Sequence, residues 1–308
     1  MKRFHAPNEH EAAERAWEVV RAAYQEREPV AWPRRHARPL VAGALVAAAV
    51  AAVLSPPGRS VVHSLRKAVG VQGAQTELFS LPAPGRLLVS GSGGTWIVNR
   101  DGSRRRLGSY RDAAWSPHGL FVAATRPNEL LALDPKGNVR WTLPRRSPRF
   151  PAWTGTRADT RIAYLAGGKL HVVAGDGTDD HAIGSAAAVR PVWLPGRVVV
   201  YSNGRRLVAY DDASRSFRPA TLRPVGPAIR RRAGLSEVVS GGRVVFRGTG
   251  SFGQVVPSPD GRWLLVTWPT AGQWVFVQPG PPRHIVGVSR ISSQFGGFPR
   301  VEGWCCAG

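Results

Sequence analysis

The chain has 308 residues, 43% of them apolar, enough for one large core or two ordinary ones. With 35 Gly, 26 Pro and many short β-branched runs, it favours a turn-rich all-β fold over a helical one. Lys and Arg number 42 against 20 Asp and Glu, but they are spread along the whole length and the densest run is only the Ile-Arg-Arg-Arg stretch at 229–232; the gathered basic patch of a nucleic-acid binder is missing, so nucleic acid is not an expected partner.

Residues 8–28 read as a helix. Asn8 is placed to cap it, with Glu11 three residues on as in a capping box. Ala13, Ala16, Trp17, Val20, Ala23 and Tyr24 recur at three- and four-residue steps, which makes one apolar stripe on a charged rod. So short a helix is marginal alone, so the stripe with Trp17, Val20 and Tyr24 is expected to meet a partner protein or a membrane surface. Pro39 to Leu54 then carries 16 residues without a charge. A helix of that length spans about 24 Å, and with snorkelling of Arg38 and local thinning it is expected to cross a bilayer once. Arg34, Arg35 and Arg38 flank its N-terminal side, which puts the N-terminus in the cytoplasm and the remainder outside. The expected organisation is a cytoplasmic segment (1–38), a transmembrane helix (39–55), a linker (56–76) and a β domain (77–308).

From about residue 77 the chain repeats itself. An apolar residue, often Trp, is followed by a Ser, Pro and Gly turn and then by short strands joined by Asp, Asn, Pro or Gly turns. Trp115, Trp153 and Trp193 lie 38 and 40 residues apart, and nine of the eleven tryptophans fall in this region. A period near 40 with four short strands per unit is the signature of β-propeller blades, stacked because one such sheet cannot bury both faces. The segment's length gives about six blades. Trp115, Trp153 and Trp193 are expected to fill the gaps between blades. Pro117, Pro259, Asp260 and Gly261 are expected to set the sharp turn into the innermost strand. Trp304 stands where another blade would begin, so the C-terminal tail is expected to pair with the first blade and close the ring. The fifth unit, around 235–249, lacks an anchor Trp.

The openings Trp-Ser-Pro-His-Gly at 115–119 and Pro-Ser-Pro-Asp-Gly at 257–261, each followed by an apolar run, resemble the WD-like repeats of TolB-type propellers. The run at 130–144 also resembles a repeat of pyrroloquinoline-quinone-type propellers. These resemblances imply the fold and say little of function.

The motifs of chemistry are weak. Gly248 to Gly253 fits G-x-G-x-x-G, but no helix pattern follows, so a hairpin turn is expected. The acidic run at 175–180 lacks the closing Glu of a calcium loop and reads as a hairpin. Asp179–Asp180 and Asp211–Asp212 fall in turns, where solvation is the ordinary state. His171 sits in a strand and reads as packed. Cys305 and Cys306 are adjacent and match no zinc spacing. They read as small apolar residues near a chain end, with a vicinal or intermolecular disulfide as the alternative. The expectation is therefore a membrane-anchored binding or sensing platform outside the cytoplasm, with no catalysis, cofactor or metal. One alternative is a transmembrane regulator whose cytoplasmic helix binds a partner such as a sigma factor. A second is a propeller enzyme, hydrolase or quinoprotein-like.

Overall fold

The computed structural model describes residues 72–75, 80–221, 226–232 and 234–306. The expected helix with Trp17, Val20 and Tyr24 and the expected span over 39–55 lie outside the described residues. No helix among the described residues is long and apolar enough to cross a membrane.

Short alternating runs of Val, Leu, Ile and Ala between Gly and Asp turns give twenty-four strands among the described residues. The first is β1 (Gln72–Gln75). Next come β2 (Arg86–Gly91), β3 (Gly94–Val98) and β4 (Arg104–Gly108). The second sheet is β5 (Ala113–Trp115), β6 (Val122–Arg126), β7 (Glu129–Leu133) and β8 (Val139–Pro144). The third is β9 (Arg149–Gly155), β10 (Thr160–Ala166), β11 (Lys169–Ala174) and β12 (His181–Ser185). The fourth is β13 (Val192–Leu194), β14 (Val198–Ser202), β15 (Leu207–Asp211) and β16 (Ser216–Pro219). The fifth has three strands, β17 (Ala228–Arg232), β18 (Leu235–Ser240) and β19 (Arg243–Thr249). The sixth holds β20 (Val255–Pro257), β21 (Leu264–Trp268), β22 (Gln273–Gln278) and β23 (His284–Val288), with β1 added parallel to β23. A short helix, α1 (Ile291–Phe295), leads to β24 (Arg300–Cys305). That last strand pairs with β2, with Leu87 opposite Trp304, so the first sheet reads β24-β2-β3-β4.

Six antiparallel sheets thus follow one another, and the sixth returns to the first: a β-propeller. In every sheet but the fifth, the first strand is the innermost. β24 touches β5, β5 touches β9, β9 touches β13, and β20 touches β24. Apolar clusters fill the seams. Leu88, Ile97, Ala113 and Val122 join the first and second sheets. Leu130, Ile162 and Tyr164 join the second and third, and Leu165, Leu170, Val199 and Tyr210 the third and fourth. Phe246 and Phe252 pack on Val266 and Val275 between the fifth and sixth. Phe276, Trp274, Leu87 and Trp304 close the sixth on the first. The cluster of Val198, Val200 and Ala209 belongs to the fourth sheet alone. Ile229 and Val238 pack toward the sixth sheet, so alternation puts Arg230 and Arg232 on the face of the fifth that looks the other way.

Trp115, Trp153, Trp193 and Trp304 occupy matching places on β5, β9, β13 and β24, each packed toward the preceding sheet. The Trp193 Nε1–H donates to the Ala152 carbonyl (2.9 Å), and Trp304 stands edge-on to Phe276.

Some expectations are corrected. The Pro and Gly turns do not lead into the innermost strand; they leave it, joining β5 to β6 and β20 to β21. The fifth sheet has three strands, not four, and the sixth has five. A strand, β1, stands at 72–75 in the stretch read as a linker, where a polar sequence gains its pairing from an open sheet edge rather than from burial signals. Gly248 to Gly253 is the end of β19 and the start of its crossing to β20, not a hairpin turn.

Candidate functional site

The repeated turn is the same structure twice. The Ser116 N–H donates to the Phe121 carbonyl (2.9 Å), the Gly119 N–H to the Ser116 carbonyl, and the Phe121 N–H to Ser116 Oγ (3.0 Å). Ser258, Gly261 and Trp263 repeat all three bonds, with Asp260 Oδ1 accepting from Ser258 Oγ at 2.5 Å. Gly119 and Gly261 have φ of 63° and 68°, the left-handed conformation that glycine adopts without strain. Pro117, Pro259, Asp260 and Gly261 are therefore turn formers. The two turns are in different sheets and form no common site.

Two ends of the ring differ in chemistry. At one end the innermost strands begin; at the other they finish. Where they begin, five charged side chains meet. Asp112, fully buried, accepts from Arg149 Nε (2.6 Å), from the Phe150 N–H (3.3 Å) and from Arg300 Nη2 (3.2 Å). Glu302, whose side chain is 1% exposed, accepts from Arg300 Nε (2.9 Å) and Nη2, and from Arg190 Nη2 (2.8 Å). Beside them Gln254 Nε2 donates to the Val301 carbonyl (3.0 Å) and its Oε1 accepts from the Val301 N–H (2.9 Å), tying the sixth sheet to β24. Burial alone would raise the Asp112 pKa; the hydrogen bonds from Arg149, Phe150 and Arg300 outweigh it and hold the carboxyl below its ordinary value. Sequence reading missed this cluster. A faint signal exists: Asp112, Arg149, Arg190 and Arg300 each stand three or four residues before an anchor Trp.

Where the inner strands finish, a cavity of about 700 Å³ opens between the second and third sheets. Trp141, Trp153, His118, Leu120, Phe121 and Arg157 line it. The Trp141 ring rests on Gly177 and its Nε1–H donates to the Gly175 carbonyl (2.9 Å), so the indole is fixed. Leu120 and Phe121 stay 52% and 37% exposed. Arg161 reaches Asp159 and Asp212, whereas Arg157 has no hydrogen-bond or ion-pair partner among the described residues. Cys305 and Cys306, joined to each other as a disulfide, lie against the Pro117 carbonyl at the rim. They are not independent apolar residues.

Asp180 and Asp212 are not solvated turn carboxylates either. Their side chains are 5% and 3% exposed. Arg145 and the Tyr164 hydroxyl (2.7 Å) donate to Asp180, and Arg197 Nη2 (2.8 Å) to Asp212. His171 is packed, stacked on Tyr164. Burial pushes the Asp180 carboxyl up, yet His171, Tyr164 and Arg145 beside it hold it down to about 2; burial and Asp180 push the Tyr164 hydroxyl up. The residues expected as a partner helix, Trp17, Val20 and Tyr24, lie outside the described residues. No group of three or more His, Cys, Asp or Glu side chains among the described residues is placed to hold a metal ion.

No protein-family model matches the chain, and no curated protein matches it. Among solved structures, it is similar to TolB from Acinetobacter baumannii at 15% identity, over 80% of this chain and 71% of that one, with a TM-score of 0.46. It is also similar to BamB from Moraxella catarrhalis (16% identity, 68% and 71% covered, TM-score 0.33). The dihydro-heme d1 dehydrogenase NirN is a third (12% identity, 75% and 67% covered, TM-score 0.46). At such identities and scores these likenesses add nothing to the ring already established by the strand pairings.

Proposed function

We propose that the chain is a non-catalytic binding ring, tethered outside the cytoplasm through residues 39–54, which holds a protein partner or ligand in the cavity where the inner strands finish. The observation that carries this is the cavity wall: two indoles, that of Trp141 held by a hydrogen bond, a guanidinium at Arg157 unpaired among the described residues, and the exposed rim of Leu120 and Phe121. Apolar walls with a few directed polar groups are what binding sites present. Indole and guanidinium also lead the residue types that concentrate binding energy at interfaces. The scaffold is rigid, because paired strands and apolar seams fix the loops, and loops held by a rigid frame are where recognition residues gather.

The test is site-specific photo-crosslinking in the full-length protein in its native membrane. A crosslinking residue at Phe121 should give one discrete adduct. The same residue at Phe217, 56% exposed on the outer strand β16, should not. Adducts that match at both positions, or none at Phe121, would count against the reading. Substrate turnover by the purified protein would replace it with an enzyme.

A further inference from the structure

At the end of the ring where the inner strands begin, positive charge gathers. Antiparallel order fixes which segments lie there: the hairpins between second and third strands of the four-stranded sheets, the β17–β18 hairpin of the fifth, and the crossings between sheets. Among the described residues, those segments hold only two acids, Asp112 and Glu129. Asp112 is buried in its arginine pairs, and Glu129 is paired with Arg126 (2.7 Å). The same segments expose Arg111, Arg146, Arg205, Arg206 and Arg290, none of them in an ion pair among the described residues. The turn acids lie at the opposite end: Asp101, Asp134, Asp159, Asp176, Asp211 and Asp260 all follow a first or a third strand.

At the mouth itself the count is uneven. Arg149, Arg190 and Arg300 share two carboxylates, Asp112 and Glu302. The acids are buried, while the arginine side chains remain 32%, 35% and 44% exposed. Each guanidinium also keeps free donors. Among the described residues, Arg149 uses only Nε, leaving both Nη atoms without a hydrogen-bond partner; Arg190 leaves Nε, and Arg300 leaves Nη1. A guanidinium fork matches a carboxylate edge to edge, whereas Asp112 and Glu302 each take their bonds from two different arginines, which leaves fork edges open.

We infer that this mouth is a binding site for a carboxylate group, which completes a set of three guanidiniums and three carboxylates. The site is distinct from the cavity at the other end. Asp112 and Glu302 act as positioning residues: buried and immobile, they hold the arginine planes before a ligand arrives, so less ordering is lost on binding. The surrounding arginines draw the anion in and give the binding a steep salt dependence. The carboxylate comes either from a small polycarboxylate or from the acidic tip of a protein segment, and the probes separate the two.

The test is calorimetric titration of the purified full-length chain at low ionic strength with tricarballylate, with a hexaglutamate peptide and with inorganic phosphate. Saturable binding of at least one carboxylate probe is expected. Binding by tricarballylate points to a small ligand, and binding by the peptide alone points to a protein segment. Arg149→Gln and Arg190→Gln should each weaken it at least tenfold. Arg283→Gln, an exposed arginine at the opposite end, should leave it unchanged. If either mouth variant fails to fold, the wild type still decides: the bound probe should protect Arg149 and Arg190 from an arginine-selective dicarbonyl reagent, read by peptide mass mapping. The inference is overturned if neither carboxylate probe saturates, if phosphate binds as tightly, if Arg283→Gln costs as much as the mouth variants, or if labelling at the mouth is unprotected.

Discussion

Asp180 shows how much a single side chain can conceal in a sequence. In the sequence it is one acid in a Gly-Asp-Gly-Thr-Asp-Asp turn; in the fold it is buried under Arg145 and Tyr164. Replacing it with Asn leaves these donors without their anion and should cost about 1–3 kcal/mol in thermal unfolding. The sign with pH follows from its depressed pKa. An unfolded Asp titrates near ~3.9, and the folded one near about 2. The stabilisation is complete above roughly pH 4 and is lost as pH falls toward 2. Acid unfolding of Asp180→Asn should therefore be shallower than wild type across that window; equal slopes would contradict it. Glycine offers a second contrast. Gly119 and Gly261 are the same turn position, and their repetition was legible. Their surroundings were not. A Cβ on Gly261 meets open space, so Gly261→Ala should cost only the strain of left-handed backbone, about 1 kcal/mol. A Cβ on Gly119 meets Cys306 Sγ at 3.0 Å and Arg86 Nη2 at 3.1 Å, so Gly119→Ala should cost more. Equal melting shifts would refute the difference.

Among elements, the closing strand was legible and the added one was not. Trp304 repeats the anchor position, and an apolar residue at a repeat spacing announces a strand wherever its partner lies. Gln72–Gln75 carries no such signal, because its place is decided by the free edge of β23. Deleting residues 298–308 removes β24 and exposes the inner edge of β2, with Leu87, Leu88 and Val89 beneath it. Far lower thermal stability is expected, with loss of a single cooperative transition; an unchanged melt would contradict this. The missing Trp in the fifth unit also has a structural counterpart. That sheet has three strands, and the fourth and fifth share no apolar cluster among the described residues. Hydrogen exchange should be fastest in β17 and in the inner strand β13, and slowest in β22. Uniform protection around the ring would contradict the uneven seams.

For the whole molecule, sequence period and composition were enough to reach six sheets, because repeats bury each other's faces in only a few ways. Charge sidedness was hidden. Basic and acidic residues alternate along the chain, and they sort to opposite ends only after strand direction assigns each turn to an end. The charged residues three and four positions before the tryptophans carried the mouth of the ring in plain view, yet nothing in their spacing says that they converge. Closure of the ring is the central claim, and an experimental crystal structure of the chain tests it most directly. It should place Leu87 opposite Trp304, with Trp115, Trp153, Trp193 and Trp304 at equivalent places around one axis. A β2 with its inner edge unpaired, or the tryptophans arrayed along an open stack, would contradict it.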